Sequence, residues 1–170
     1  MLKRFIVILL LFFAGPGMAE TRDVQGFFDP NLGDFKTELA VAHKEGKIGI
    51  LLMYEQEGCP YCQRMKETVL NQSEVQDYYR KRFSVFSIDI RGDNPLVDFS
   101  GKETTEKKFA AEQRVLATPV FVFYDLDGKP MTRFTGVSRD VNEFMLLGRY
   151  VAEGLWKTMP FARYKQQAAK

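Results

Sequence analysis

The spacing of apolar positions changes several times along the chain, and each change marks an element. Glu20 to Pro30 is a polar and aromatic lead-in. From Asp34 to Gly46, Phe35, Leu39 and Ala42 recur at three- to four-residue spacing, which predicts an amphipathic helix stopped by Gly46. Lys47 to Tyr54 is a nearly continuous apolar run interrupted by one glycine, as expected of a strand buried on both faces. A Glu-Gln-Glu-Gly connection follows, and Pro60 suits the first turn of a helix reaching about Leu70. Ser73, with Gln76 three residues on, reads as the cap of another helix to about Arg82. Phe83 to Ile90 alternates imperfectly and predicts a second strand, whereas Arg91 to Lys102, with Gly92, Pro95 and Gly101, reads as a loop or insertion. Thr104 or Thr105 begins a helix to about Arg114.

Val120 to Tyr124 is a strongly marked strand. Asp125 to Lys129 supplies a glycine-containing hairpin turn, and Pro130 to Phe134 its partner, with the proline suited to an edge strand. Arg139 to Glu153 predicts a closing helix with Val141, Phe144, Leu147 and Val151 on one face and Gly154 at its end. The tail beyond it is amphiphilic and shows no defined element. A strand–helix–strand unit followed by an antiparallel hairpin and a helix makes this an α/β chain with a central mixed sheet covered on both faces. No repeat, linker or low-complexity block divides it, so residues 20–170 read as one domain with its core at about 34–153.

The first nineteen residues have a separate logic. Lys3 and Arg4 form a basic start, Phe5 to Ala14 is unbroken apolar sequence, and Gly17-Met18-Ala19 places small residues where a signal peptidase cuts. The run falls short of the roughly 20 residues of a membrane span. A cleaved signal peptide over 1–19 and a periplasmic mature protein are expected, with an uncleaved N-terminal anchor as the alternative. The formal charge of +2 belongs to this segment: without Lys3 and Arg4 the Lys+Arg count falls from 24 to 22, against 22 Asp+Glu. Nothing in that balance calls for a nucleic-acid partner. Apolar residues make up 45% of the chain, enough for a core without disulfide staples.

The chain holds only two cysteines and one histidine. A structural zinc site needs about four N/S ligands, so no metal and no other cofactor is expected. His43 sits on a charged helix edge and reads as a surface residue. The cysteines stand as Cys59-Pro60-Tyr61-Cys62 between the buried strand and the next helix. At a helix start, unpaired N–H groups and the positive end of the dipole favour a thiolate, the nucleophile of disulfide exchange. Cys59 is therefore assigned attack. Cys62, one turn into the helix, is assigned resolution of the mixed disulfide. A passive staple is the bland alternative, but closing so short a loop contributes only about 2 kcal/mol. Thr118-Pro119, directly before the strong strand, could be a plain turn. A cis-proline there would turn the Thr118 backbone toward the cysteines and leave it free to pair with an extended substrate.

Together CPYC, then TPVFVFYDLDGK about 60 residues later, then RFTG, resemble the thioredoxin superfamily. The chain is most similar to exported thioredoxin-like proteins of the sulfur-oxidation group and to catalytic domains of periplasmic disulfide isomerases, over roughly Asp34 to Glu153. The resemblance implies a thioredoxin-like fold with Cys59 as exposed nucleophile and Cys62 as its buried redox-disulfide partner. It also implies that Thr118-Pro119 docks substrate beside Pro60 and Tyr61, and that Gly136 is a small residue near that surface. Two features depart from cytoplasmic thioredoxins: Gly58 precedes Cys59, and Met53 stands six residues before it where a buried Asp is usual. Glu55 or Glu57 could replace that acid, although a solvated connection is the expected setting for both. CPYC also occurs in glutaredoxins, but no glutathione site is recognisable here.

The direction of electron flow stays open at this point. Helix-end placement and Arg64 stabilise the Cys59 thiolate and favour an oxidant, while Glu55 and Glu57 oppose them. A threonine before the proline resembles isomerases and reductases, and the chain has no room for an isomerase's dimerisation domain. The reading preferred is a monomeric periplasmic disulfide reductase acting on protein thiol and disulfide substrates and recharged by a membrane electron donor. A disulfide-forming oxidant and a binding module, metallochaperone or assembly factor without turnover are the alternatives.

Overall fold

The computed structural model describes residues 20–168; the expected signal peptide, residues 1–19, lies outside them. Helix α1 (Phe35–Lys44) starts where the Asp34 carboxylate accepts the Thr37 N–H and hydroxyl, at 2.9 and 2.8 Å. Strand β1 (Gly49–Glu55) leads to α2 (Pro60–Met65), which continues as a π-helical turn over Lys66–Leu70. Then come α3 (Ser73–Arg80), β2 (Phe83–Asp89), β3 (Pro95–Val97), β4 (Glu103–Thr105) and α4 (Glu106–Glu112). Strands β5 (Val120–Asp125) and β6 (Pro130–Thr135) form the hairpin, followed by α5 (Val141–Ala152) and α6 (Phe161–Ala168).

The main sheet has the order β2-β1-β5-β6, with β1 parallel to β2 and the other two pairs antiparallel. This is the mixed sheet the sequence predicts, with the proline-led β6 on an edge. Alternation within β1 divides the core. Leu51 and Met53 face α2, α3 and α5, while Ile50, Leu52 and Tyr54 face α1 and α4. With both faces covered, the strand needs apolar residues at every position, which is why its run shows no period of two.

Several boundaries differ from expectation, each for a physical reason. The helix after Pro60 reaches Leu70 as expected, but it takes π-geometry from Lys66, where the Thr68 hydroxyl donates to the Arg64 carbonyl at 2.8 Å. Ser73 is not the cap of α3. Gln72 holds that position without a side-chain bond, and the Ser73 amide is taken by the carbonyl of Glu20 at 2.8 Å. Residues 91–102 are not simply a loop, since β3 pairs antiparallel with β4 in a small second sheet. Three-residue strands beside Pro95 and Gly101 leave no periodicity to read. The tail also has structure: Phe161 packs on Phe134 and Tyr150, and Lys165 pairs with Glu143 at 2.5 Å.

The lead-in protects the β2 edge of the sheet. The Asp29 amide donates to the Val85 carbonyl at 2.7 Å, and its carboxylate accepts the Val85 N–H at 2.9 Å and the Arg80 guanidinium at 3.0 Å. One residue thus imitates a paired strand on an otherwise open edge. Asp29→Ala leaves a fully buried amide without an acceptor. Its expected cost is about 1–3 kcal/mol in urea unfolding at unchanged m-value, and a midpoint equal to wild type would refute this role.

Candidate functional site

The cysteines lie where β1 hands over to α2. Gly58 takes φ 69° and turns the chain off the sheet, and Cys59 caps α2 with Pro60 as its first residue. The Cys59 Sγ accepts the Cys62 N–H at 3.1 Å, so the capping atom of the helix is the sulfur itself. Cys59 and Cys62 pair as a disulfide with Cα atoms 5.3 Å apart.

Across from them the Thr118–Pro119 peptide bond is cis. Thr118 Oγ1 lies 3.2 Å from Cys59 Sγ, and the Thr118 carbonyl oxygen 3.6 Å from it. Once the cysteines are reduced, a Cys59 thiolate would face two donors, the Thr118 hydroxyl and the Cys62 amide. Sequence reasoning anticipated the Thr118 backbone but not its side chain. The residue type offered that signal, because a hydroxyl one residue before the proline can reach what the carbonyl reaches. This contact also covers the sulfur. Cys59 is only 8% exposed, against 2% for Cys62, so it is the more accessible cysteine but not the open one the resemblance implied. Tyr61 points outward, 61% exposed, and Leu116, two residues before Thr118, is 94% exposed.

Cys59 and Cys62 line a cleft of about 640 Å³. Among the described residues, four carboxylates share its wall, those of Glu55, Glu57, Asp89 and Glu106, with Lys66 as the one cation. Glu57 is exposed, as expected of the connection, but Glu55 is not. The Glu55 side chain is 18% exposed, accepts a hydrogen bond from the Ser87 hydroxyl and holds the Lys66 ammonium at 2.5 Å. The expectation of a solvated Glu55 is therefore corrected. As the last residue of β1 it is still carried inward by the strand, and β2 and the π-helical turn after α2 supply its partners. Glu106 is nearly buried, and burial pushes its carboxyl above the ordinary range, only partly offset by the Asn94 amide donating at 2.9 Å. Met53, where cytoplasmic thioredoxins carry the acid, is fully buried in the apolar core. Arg64 is exposed and does not line the cleft.

A family description of the thioredoxin-like domain matches residues 35–152. The chain belongs to this thioredoxin-like family. Its match spans α1 to the last residue of α5, and so includes both cysteines and Thr118-Pro119. Among solved structures, a thioredoxin from Thermus thermophilus is 30% identical, with a TM-score of 0.54 over 70% of this chain and 84% of that one. A thioredoxin-fold protein from Helicobacter pylori superposes with a TM-score of 0.66 at 19% identity, over 85% of this chain and 92% of that one. The oxidised C-terminal domain of DsbD from Neisseria meningitidis gives 0.50 at 18% identity, over 72% and 97%. A search of curated proteins returns no match. The two weaker identities establish the thioredoxin-like fold alone. That fold places the CxxC at the start of α2 and Thr118-Pro119 at the start of β5, side by side because β1 and β5 are paired.

Proposed function

We propose that this protein is a thiol–disulfide oxidoreductase working as a disulfide reductase, with Cys59 as nucleophile and Cys62 as resolving cysteine. The observation that carries the reading is a sulfur that caps a helix, faces Thr118 and lines a cleft. In the reduced protein the Cys59 thiolate attacks one sulfur of a substrate disulfide. A Cys59–substrate disulfide forms as the first substrate thiolate leaves. Cys62, losing its proton, then attacks Cys59 Sγ; the mixed disulfide breaks, the second substrate thiolate leaves, and the Cys59–Cys62 disulfide closes. Two electrons pass to the substrate, and a dithiol donor must return them for the next turnover. Thr118 and Pro119 dock the substrate segment, flanked by Pro60 and Tyr61, with the Thr118 backbone pairing with the extended segment.

Direction is argued from charge. A stable thiolate favours the dithiol form and makes the protein oxidising. The cleft opposes this, because its carboxylates outnumber its cation and that cation is tied to Glu55. The two donors on Cys59 Sγ favour the second reading, a disulfide-forming oxidant. The Cys59–Cys62 potential, measured against glutathione, decides between them. The expected value is near that of reducing thioredoxins, about −270 mV, with insulin reduced in the presence of dithiothreitol. A value near about −120 mV would make the protein an oxidant.

The remaining assignments follow from sequence. Residues 1–19 act as a cleaved signal, and the mature domain of residues 20–170 works as a periplasmic monomer on protein thiols and disulfides, recharged by a membrane electron donor. Among the described residues no helix is long and apolar enough to cross a membrane. Mass spectrometry of the exported protein, beginning at Glu20, is the check on the signal.

A further inference from the structure

The segment that carries Thr118 to Cys59 has little structure of its own. Helix α4 ends in a Schellman arrangement: the Arg114 amide donates to the Ala111 carbonyl at 2.9 Å and the Val115 amide to the Ala110 carbonyl at 3.0 Å. Arg114 takes φ 54° there, the only non-glycine residue with positive φ among the described residues, at a position usually given to glycine or asparagine. Beyond Val115, the amides of Leu116, Ala117 and Thr118 find no acceptor within the described protein. The loop is therefore placed by its two ends: Val115 is buried in the core, and β6 with the residue after it bonds to both ends. At one end the Gly136 amide, just past β6, donates to the Pro119 carbonyl at 2.8 Å. At the other, the Arg133 guanidinium donates to the carbonyls of Gln113 at 2.5 Å and Arg114 at 3.3 Å. These are acceptors that the helix end leaves free, and a cation suits the negative end of the helix dipole. Gln113 is held a second time, since its Oε1 accepts the Tyr124 hydroxyl at 3.2 Å, and that hydroxyl also meets the one of Tyr54 at 2.9 Å.

We propose that Arg133 is a positioning residue of the redox centre: by holding the carbonyls of Gln113 and Arg114 it sets loop 114–118 so that Thr118 Oγ1 meets Cys59 Sγ. Arg133 acts on Cys59 only through that loop and touches neither cysteine nor substrate. Lysine keeps the cation but cannot present a planar fork to two carbonyls, so it replaces arginine only in part. The inference rests on the reading of Cys59 as the working thiolate.

The test titrates the Cys59 thiolate by its absorbance near 240 nm in the reduced full-length mature chain. Wild type is compared with Arg133→Met, Thr118→Val and the double variant, and Arg133→Lys is added as the conservative change. Arg133→Met is expected to lower the thiolate fraction at fixed pH by roughly three- to tenfold, a rise of about half to one unit in pKa. The double variant is expected to match Thr118→Val alone, and Arg133→Lys to fall between Arg133→Met and wild type. A wild-type titration in Arg133→Met, with only its melting temperature lowered, would overturn the proposal and leave a structural cap. So would additive effects in the double variant, which would mean that the Arg133 charge acts on Cys59 through space. Should Arg133→Met fail to fold, Arg133→Gln carries the same comparison. The titration needs no turnover: an intact cycle in a protein without exchange activity would reject the oxidoreductase reading and retain the positioning role.

Discussion

Cys59→Ser is expected to abolish insulin reduction, and Cys62→Ser to stop after one attack, as a stable mixed disulfide with its substrate. The asymmetry follows from placement. Cys59 is the cap of α2 and the more accessible sulfur, with two donors aimed at it. Cys62 lies a turn into the helix at 2% exposure and can reach little except Cys59. Serine at Cys59 removes the atom that forms the first covalent bond, so turnover should fall to background. Serine at Cys62 leaves that bond formed with nothing to break it, and the adduct appears in the intact mass and disappears with dithiothreitol. If both variants retained partner binding and the wild type reduced nothing, a binding module or assembly factor would replace the enzyme. If Cys62→Ser turned over at the wild-type rate, the assignment of roles would be wrong.

Gly49→Ala is expected to destabilise the protein by several kcal/mol, because no glycine among the described residues leaves less room for a Cβ. A Cβ at Gly49 would lie 1.9 Å from the Tyr124 carbonyl oxygen and 3.0 Å from its carbon. Both atoms belong to the backbone of the neighbouring strand, so no side chain can swing aside. Relief requires β1 and β5, the two central strands, to separate at their end pair Gly49–Asp125. Overpacking usually costs about 1–3 kcal/mol where side chains can give, and a clash between two central strands exceeds that. Urea unfolding measures it. A loss below about 1 kcal/mol would mean that the strands part easily there. Because β1 leads through residues 56–57 into the Gly58 turn and β5 begins at Val120, directly after Pro119, the same substitution should also slow exchange in whatever fraction stays folded.

How much of this was legible beforehand depended on the range of the interaction. Helix α1 and strand β5 were readable because their signals are local: Asp34 caps the helix it precedes, and Val120 to Tyr124 is apolar throughout. The mixed sheet followed from the order of elements. The pairing of β3 with β4 was not readable, because three residues hold no period and each strand gains its partner only in the fold. Ser73 has the right type and spacing for a cap, yet Gln72 takes that position and the Glu20 carbonyl of the lead-in accepts the Ser73 amide. Glu55 sits in a connection that reads as solvent-facing, and only the approach of Ser87 and Lys66 encloses it.

The candidate site divides in the same way. By itself the sequence determined that two cysteines three residues apart would stand at a helix start, since strand, glycine turn and proline are consecutive and their chemistry is local. It also determined that a Thr-Pro would open the strand predicted to lie beside them. Only the tertiary structure decided that the Thr118 hydroxyl meets Cys59 Sγ and that four carboxylates wall the cleft. It alone put Arg133, 74 positions from Cys59 in the numbering, at the loop between them. These contacts join residues far apart in the chain, and their distances are set by how β1, β2, β5 and β6 align and twist against one another. No periodicity along the chain encodes that alignment.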